Sequence, residues 1–180
     1  MTTTLVALLR GINVGGRTRV GMADLQRLFA GLGHTGVSTY LQSGNVIFTP
    51  AAGAVAQVAG GVEERITAEL GVKVTVLLRS GEDLARVVAG NPFAGGAADP
   101  AKLHVTFLAG TPAPERIDRL EAPPGEADEL SLSGLEVYLH CPNGYGRTKL
   151  NNSFFERRLG VPATTRNWKT VTTLAELAAH

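Results

Sequence analysis

The chain has one cysteine, Cys141, in 180 residues, so no disulfide can close within it, which fits a reducing compartment. It has no run of about 18 consecutive apolar residues, which excludes a membrane-spanning helix. The N-terminus lacks the basic, apolar, small-residue succession of a secretory signal. A cytoplasmic protein with no membrane contact is therefore expected. Histidine is sparse, at His34, His104, His140 and His180, with no pair at metal-ligand spacing, so no metal site is expected. The net charge is only +1, and any electrostatic site must be local. What remains is an ordinary globular composition, 44% hydrophobic, enough for one domain or two small ones sharing a core.

In the first half, Thr3 to Leu9 is a short apolar run that ends at Arg10 and Gly11, too short for a helix and so a buried strand. After the loop Gly11 to Arg19, the residues Leu25, Leu28, Phe29 and Leu32 recur at helical spacing, with Gly33 placed to close the helix. Val37 to Gln42 and Asn45 to Thr49 are strand-like and separated by Ser43 and Gly44, the spacing of a tight hairpin. Val58, Val62, Ile66 and Leu70 mark a second helix, weakened by Gly60 and Gly61. Lys73 to Arg79 alternates as a last strand. Strand, helix, hairpin, helix, strand is the order of the ferredoxin-like split β-α-β unit.

Ser80 and Asp83 form a capping box for a connecting helix that Asn91-Pro92 stops, and Phe93 to Pro100, rich in Gly and Ala, reads as a linker. Lys102 to Leu108 is again a strand, Thr111-Pro112 opens a short helix, and Leu130 to Leu132 with Leu135 to His140 forms a second hairpin turning on Ser133-Gly134. Both second helices end in Leu-Gly-Val, at Leu70 to Val72 and Leu159 to Val161. The pattern implies an α+β chain of two ferredoxin-like subdomains, 1–80 and 101–180, joined by 81–100, as a structural duplication. In place of a fourth strand, the second subdomain is expected to end in a helix capped by Asn167, with Trp168, Val171, Leu174, Ala175 and Ala178 on its apolar stripe.

Three blocks, LVALLRGINVGG (Leu5 to Gly16), TYLQSGNVIF (Thr39 to Phe48) and RTKLNNSFFERRLGVPATTRNW (Arg147 to Trp168), resemble the bacterial domain of unknown function 1697 family. The family pattern tends to have Lys where Arg17 stands and another residue where Asn151 stands, changes that keep charge or polarity. The resemblance implies two ferredoxin-like subdomains in one α+β protein, and it carries no assigned activity.

Function must then be sought in local chemistry. Gly144 to Trp168 holds Arg147, Lys149, Arg157, Arg158 and Arg166 against the single acid Glu156, beside amides and hydroxyls able to donate to an anion. Part of this follows from folding alone. Ser153 and Glu156 fit a capping box, Phe154, Phe155, Leu159 and Trp168 suit a core, and Arg157 and Arg158 oppose a helix dipole. Exposed rings at Phe154 and Phe155 would instead stack on bases. The loop GINVGG can cradle a phosphate after a strand, although its spacing is neither a dinucleotide fingerprint nor a Walker loop. It can equally be a tight connection that needs positive backbone angles at Gly15 or Gly16. The candidate ligand-binding residues are Arg10, Asn13, Gly15, Gly16 and Arg17 with Arg147, Thr148, Lys149, Asn151 and Arg166. They point to an anionic ligand, a nucleotide or nucleic acid, held on a basic surface without a cofactor. The alternative is a small enzyme acting on a phosphorylated or carboxylated metabolite, with Arg147, Lys149 and Arg166 as clamps and Tyr145 or Lys149 as proton donor. His140 and Cys141 are adjacent on a strand, point to opposite faces and do not form a nucleophile and base.

Overall fold

The computed structural model describes residues 2–13, 19–53 and 55–179. The elements run β1 (Leu5–Arg10), α1 (Met22–Gly31), β2 (Thr35–Thr39), β3 (Asn45–Thr49), α2 (Val58–Leu70) and β4 (Thr75–Ser80). After α3 (Gly81–Ala89) the pattern repeats as β5 (Leu103–Leu108), α4 (Pro114–Asp118), β6 (Glu129–Ser133), β7 (Glu136–His140), α5 (Asn152–Leu159), β8 (Ala163–Asn167) and α6 (Trp168–Leu177). Two four-stranded sheets result, ordered β2-β3-β1-β4 and β6-β7-β5-β8, with every neighbouring pair antiparallel. The split β-α-β order expected from sequence is therefore present twice. No helix among the described residues is long and apolar enough to cross a membrane.

The chain divides into two compact units, Met1–Ala85 with Leu174–His180, and Arg86–Thr173. In the first, Leu5, Ala7 and Leu9 of β1 pack with Val46, Phe48 and Val76 beneath Leu25, Leu28 and Phe29 of α1 and Val62 and Ile66 of α2. In the second, Leu108, Val137, Leu139 and Ala163 of the sheet pack with Phe154, Phe155 and Leu159 of α5. The Leu-Gly-Val echo has a physical meaning. Gly71 (φ 68°) and Gly160 (φ 73°) close α2 and α5 in the left-handed conformation, each N–H returning to the carbonyl four residues back, a geometry that side chains disfavour.

The expected capping box at α3 is formed in both directions: Ser80 N–H donates to Asp83 Oδ2 at 2.8 Å, and Asp83 N–H to Ser80 Oγ at 3.1 Å. Two expectations need correction. The first hairpin does not turn on Ser43-Gly44 alone, because β2 ends at Thr39 and residues 40–44 connect it to β3. Asn45 Nδ2 ties this longer loop by donating to Tyr40 O at 2.7 Å and Ser43 Oγ at 3.0 Å. The second correction concerns the fourth strand of the second unit, which exists as β8 (Ala-Thr-Thr-Arg-Asn). Its polar residues hid it from a hydrophobic-period reading, yet it pairs along β5 from His104↔Asn167 to Leu108↔Ala163. Asn167 caps α6 as expected, accepting from Thr170 N–H at 2.8 Å.

The two units also rhyme at their last strands. Arg79 of β4 lies opposite Val6, and Arg166 of β8 opposite Val105. Both are buried, and each Nη1 donates to the preceding residue's carbonyl, at 2.9 Å in Arg79 and 3.0 Å in Arg166. A helix-capping residue follows each arginine, Ser80 or Asn167.

Candidate functional site

The sequence-derived site residues fall in different compact units, Arg10 and Asn13 in the first and Arg147, Thr148, Lys149, Asn151 and Arg166 in the second. Gly15, Gly16 and Arg17 lie outside the described residues. Arg10 ends β1 opposite Thr75 and is half-buried. Asn13 has φ 53°, a conformation asparagine tolerates better than most residues. Its amide is committed on both sides, with Nδ2 donating to Val20 O at 3.1 Å and Gln42 O at 2.6 Å and Oδ1 accepting from Val20 N–H at 2.9 Å. Asn13 is thus a brace across its loop.

The closing segment is also mostly committed to the fold. Thr148 Oγ1 donates to the buried carboxylate of Asp128 at 2.5 Å and accepts from Leu150 N–H at 3.0 Å. Lys149 Nζ lies 3.1 Å from Glu126 Oε1 with its own side chain 66% exposed, a surface pair of small energetic weight. The α5 cap is Asn151 rather than Ser153, because Asn151 Oδ1 accepts from Phe154 N–H at 2.9 Å. The acidic loop before β6 therefore engages two of the five basic or polar residues that sequence had left unexplained. Arg147 ends a short 3₁₀ turn and is exposed. Arg166 is buried, its Nη1 donating to Thr164 Oγ1 at 2.6 Å and Thr165 O at 3.0 Å. Burial pushes its pKa down to about 10 against the pull of nearby Tyr145, so it stays charged near neutrality.

Around Arg166 the second sheet carries a polar stripe within its otherwise apolar surface. His104 and Thr106 of β5 alternate on one face opposite Asn167 and Thr165 of β8. Thr165 Oγ1 donates to Asn152 Oδ1 at 2.7 Å, and since its one proton is spent there, Thr106 donates to Thr165 across 2.7 Å. His104 stacks on Tyr145 with ring centroids 4.6 Å apart. Its Nδ1 is sealed from solvent, with no side-chain hydrogen-bond partner among the described residues. Burial lowers the His104 pKa against the upward pull of a Lys102 backbone hydrogen bond, so the ring is neutral at pH 7. Burial pushes the Tyr145 phenol up, against Thr165 and Arg166.

His104 also lines a cleft of about 550 Å³ with Pro100, Ala101, Asn167, Trp168, Lys169 and Thr172. That volume is within the range of small-molecule sites. Trp168, read from sequence as core, is half-buried on the cleft wall. Trp168 and Lys169 open α6, so the positive end of that helix's dipole meets the cleft. In the sequence His104 is only one of four scattered histidines, and Lys169 lies just beyond the Gly144 to Trp168 stretch. The usable signal was the polar alternation of His104 and Thr106 in an apolar strand, matched by Thr165 and Asn167.

The other candidates close off. Cys141 is fully buried, and burial raises its thiol pKa with only partial relief from Thr148. His140 faces Glu129, with Nδ1 3.1 Å from Oε1. Phe154 and Phe155 are 5% and 0% exposed, which removes them as base-stacking platforms.

A pH dependence follows from His104 and His34. His34 Nδ1 accepts Ala51 N–H at 3.0 Å beside Phe29 and Phe48, and burial lowers its pKa too. Both folded values lie below the ordinary 6.5, so just under that pH the unfolded chain binds protons that the folded chain refuses. Stability is full above 6.5 and falls as pH drops toward the lowered folded values. Denaturant midpoints measured from pH 7.5 to 5 are expected to decline, and a His34→Gln/His104→Gln variant is expected to flatten the decline.

No curated protein matches the chain. Among solved structures it is similar to a conserved bacterial protein, SP0830 from Streptococcus pneumoniae, at 24% identity and a TM-score of 0.77, with all of both chains covered. At that identity the likeness concerns the fold. A sequence model described as "Protein of unknown function (DUF1697)" matches residues 1–138, ending before the Arg147 to Trp168 block. The chain belongs to this DUF1697 family.

Proposed function

We propose that this member of a family of unknown function binds a small anionic ligand of the nucleotide class in the cleft between β5, β8 and the start of α6. The observation that carries the reading is one wall combining Lys169, the positive end of α6 and the half-buried Trp168 ring beside His104. Trp168 offers a flat face for a base, while Lys169 and the helix end suit a phosphate. The Arg147 to Asn151 segment supports the reading less, because most of it is held by the acidic loop and the α5 cap.

Trp168 is the chain's one tryptophan, so its intrinsic fluorescence reports directly on the cleft. Titration at low salt with nucleoside monophosphates, ribose 5-phosphate, inorganic phosphate and a short single-stranded oligonucleotide separates base from phosphate recognition. Nucleotides are expected to change the emission, with binding that weakens as salt rises. Lys169→Ala should weaken binding about tenfold or more, the scale of a lost charged hydrogen bond. A folded protein whose emission responds to none of these ligands would sink the proposal.

An enzymatic reading draws support from the neutral His104 ring, which has the protonation state of a general base at this cleft. Tyr145, raised in pKa and stacked behind it, would keep its proton. Turnover of a phosphorylated metabolite that His104→Gln abolishes, without loss of ligand binding, would favour the enzyme over the binder.

A further inference from the structure

We infer that the groove between α4 and α5 is a second and separate site, one that takes a chain of phosphate groups. The groove encloses about 440 Å³ and is lined by Ala113, Glu115, Arg116, Arg119, Arg157 and Arg158. Four guanidinium groups from two elements thus border one concavity. None of the four is in an ion pair among the described residues, nor is Glu115, the one acid in the lining. Four like charges against one unpaired carboxylate leave the groove positive, so the arrangement asks for an outside counter-charge.

Part of the cluster is explained within the fold. Arg116 Nη1 donates to the last carbonyls of α5, Arg157 O at 3.3 Å and Arg158 O at 3.4 Å. The negative end of that helix also favours Arg157 and Arg158. Arg157 Nε donates to Ser153 O at 3.3 Å, and the Arg158 guanidinium lies 5.1 Å from the centre of the Phe154 ring. These contacts leave most of the guanidinium donors unspent, and Arg119 belongs to none of them. A guanidinium fork fits phosphate oxygens in pairs, and four forks along one groove exceed what a single phosphate needs. Phe154 is buried beneath Arg158, and the lining has no aromatic ring, so charge is read here and bases are not.

The groove is distinct from the Trp168 cleft. The two share no lining residue: the groove is bordered by α4, which follows the Leu108 end of β5, and α5, which precedes the Ala163 end of β8, whereas the cleft has His104 and Asn167 at the far end of the same strand pair. Four residue steps along β5 separate the two ends, about 13 Å along the sheet.

Tripolyphosphate and a single-stranded oligonucleotide, each titrated calorimetrically at low salt, test the inference on the whole chain. The variant is Arg119→Gln/Arg157→Gln, in which both replaced side chains are exposed, and its thermal midpoint is checked against the parent. Tripolyphosphate binding that the variant weakens about tenfold supports a free oligophosphate as ligand. If only the oligonucleotide binds and the variant weakens it, the source is a phosphodiester backbone, and the salt slope should fall by about 1.4, at ~0.7 per lost contact. Arg119→Lys/Arg157→Lys should retain part of the affinity, and Lys169→Ala all of it. Binding unchanged by Arg119→Gln/Arg157→Gln, or no binding of either probe to the folded protein, overturns the site. Neither result bears on the Trp168 cleft, which has its own optical readout.

Discussion

Phe155→Ala is expected to destabilise the second unit by about 3–5 kcal/mol, the cost of removing a buried phenyl ring and leaving a cavity. Phe155 is 0% exposed. It packs in one cluster with Leu108, Val137, Leu139, Leu150 and Ala163 and meets Phe154 edge-on, with centroids 5.2 Å apart and planes at 85°. The helix that carries it has eight residues, too few to be stable alone. Its existence therefore depends on this packing, on the Asn151 cap and on the left-handed Gly160. A loss of that size is a large share of the 5–15 kcal/mol that holds a typical domain. Urea unfolding followed by far-ultraviolet circular dichroism measures it, and a shift below ~1 kcal/mol would show that the ring is not a core element. The consequence extends to function, because α5 supplies Asn152 to the Thr165 hydroxyl and Arg157 and Arg158 to the groove.

Phe155 also illustrates what sequence could and could not say. The aromatic pair was open to two readings, core or base-stacking platform, and burial decides for the core. Elements carried by apolar periodicity were legible: β1 as an unbroken run, α2 through Val58, Val62, Ile66 and Leu70, and the α3 box through Ser80 and Asp83. Elements carried by polar residues were not. β8 has no apolar alternation, and Thr164, Thr165 and Arg166 are placed instead by side-chain hydrogen bonds and by the ladder with β5. The cap of α5 was assigned to Ser153 because Ser-x-x-Glu is the stronger motif. The chain instead turns helical two residues earlier, at Asn152, and Asn151 takes the role.

The candidate site was less legible than the fold for a related reason. Basic residues stood out in the sequence, but their partners lie far along the chain: Thr148 meets Asp128, and Lys149 meets Glu126. No local pattern announces such pairs. The cleft residues had the opposite problem. His104, Trp168 and Lys169 are individually ordinary and gain meaning only when the β5–β8 register sets His104 beside Asn167 at the start of α6.

Gly44→Ala is expected to destabilise the first unit by about 2–5 kcal/mol, from two costs that add. Gly44 has φ 87°, and a side chain in the left-handed region costs about 1–2 kcal/mol. A methyl group there would also come within 2.6 Å of Ile12 Cδ1 and 3.0 Å of Leu9 Cβ. Both neighbours are buried, so overpacking adds about 1–3 kcal/mol. Gly61→Ala is the internal control. Gly61 lies inside α2, where a methyl would meet nothing within 4 Å, and the change should stabilise by roughly 0.5–1 kcal/mol. Opposite signs for two Gly→Ala changes in one unit can be read from their denaturant midpoints, and matching signs would refute the geometry at Gly44. The effect should not stay at Gly44. Its carbonyl receives Leu9 N–H at 2.9 Å, and the same connection presents Gln42 O to Asn13 Nδ2 at 2.6 Å. Displacing Gly44 therefore strains the brace between Asn13 and Val20, which ties the loop after β1 to the β2–β3 connection.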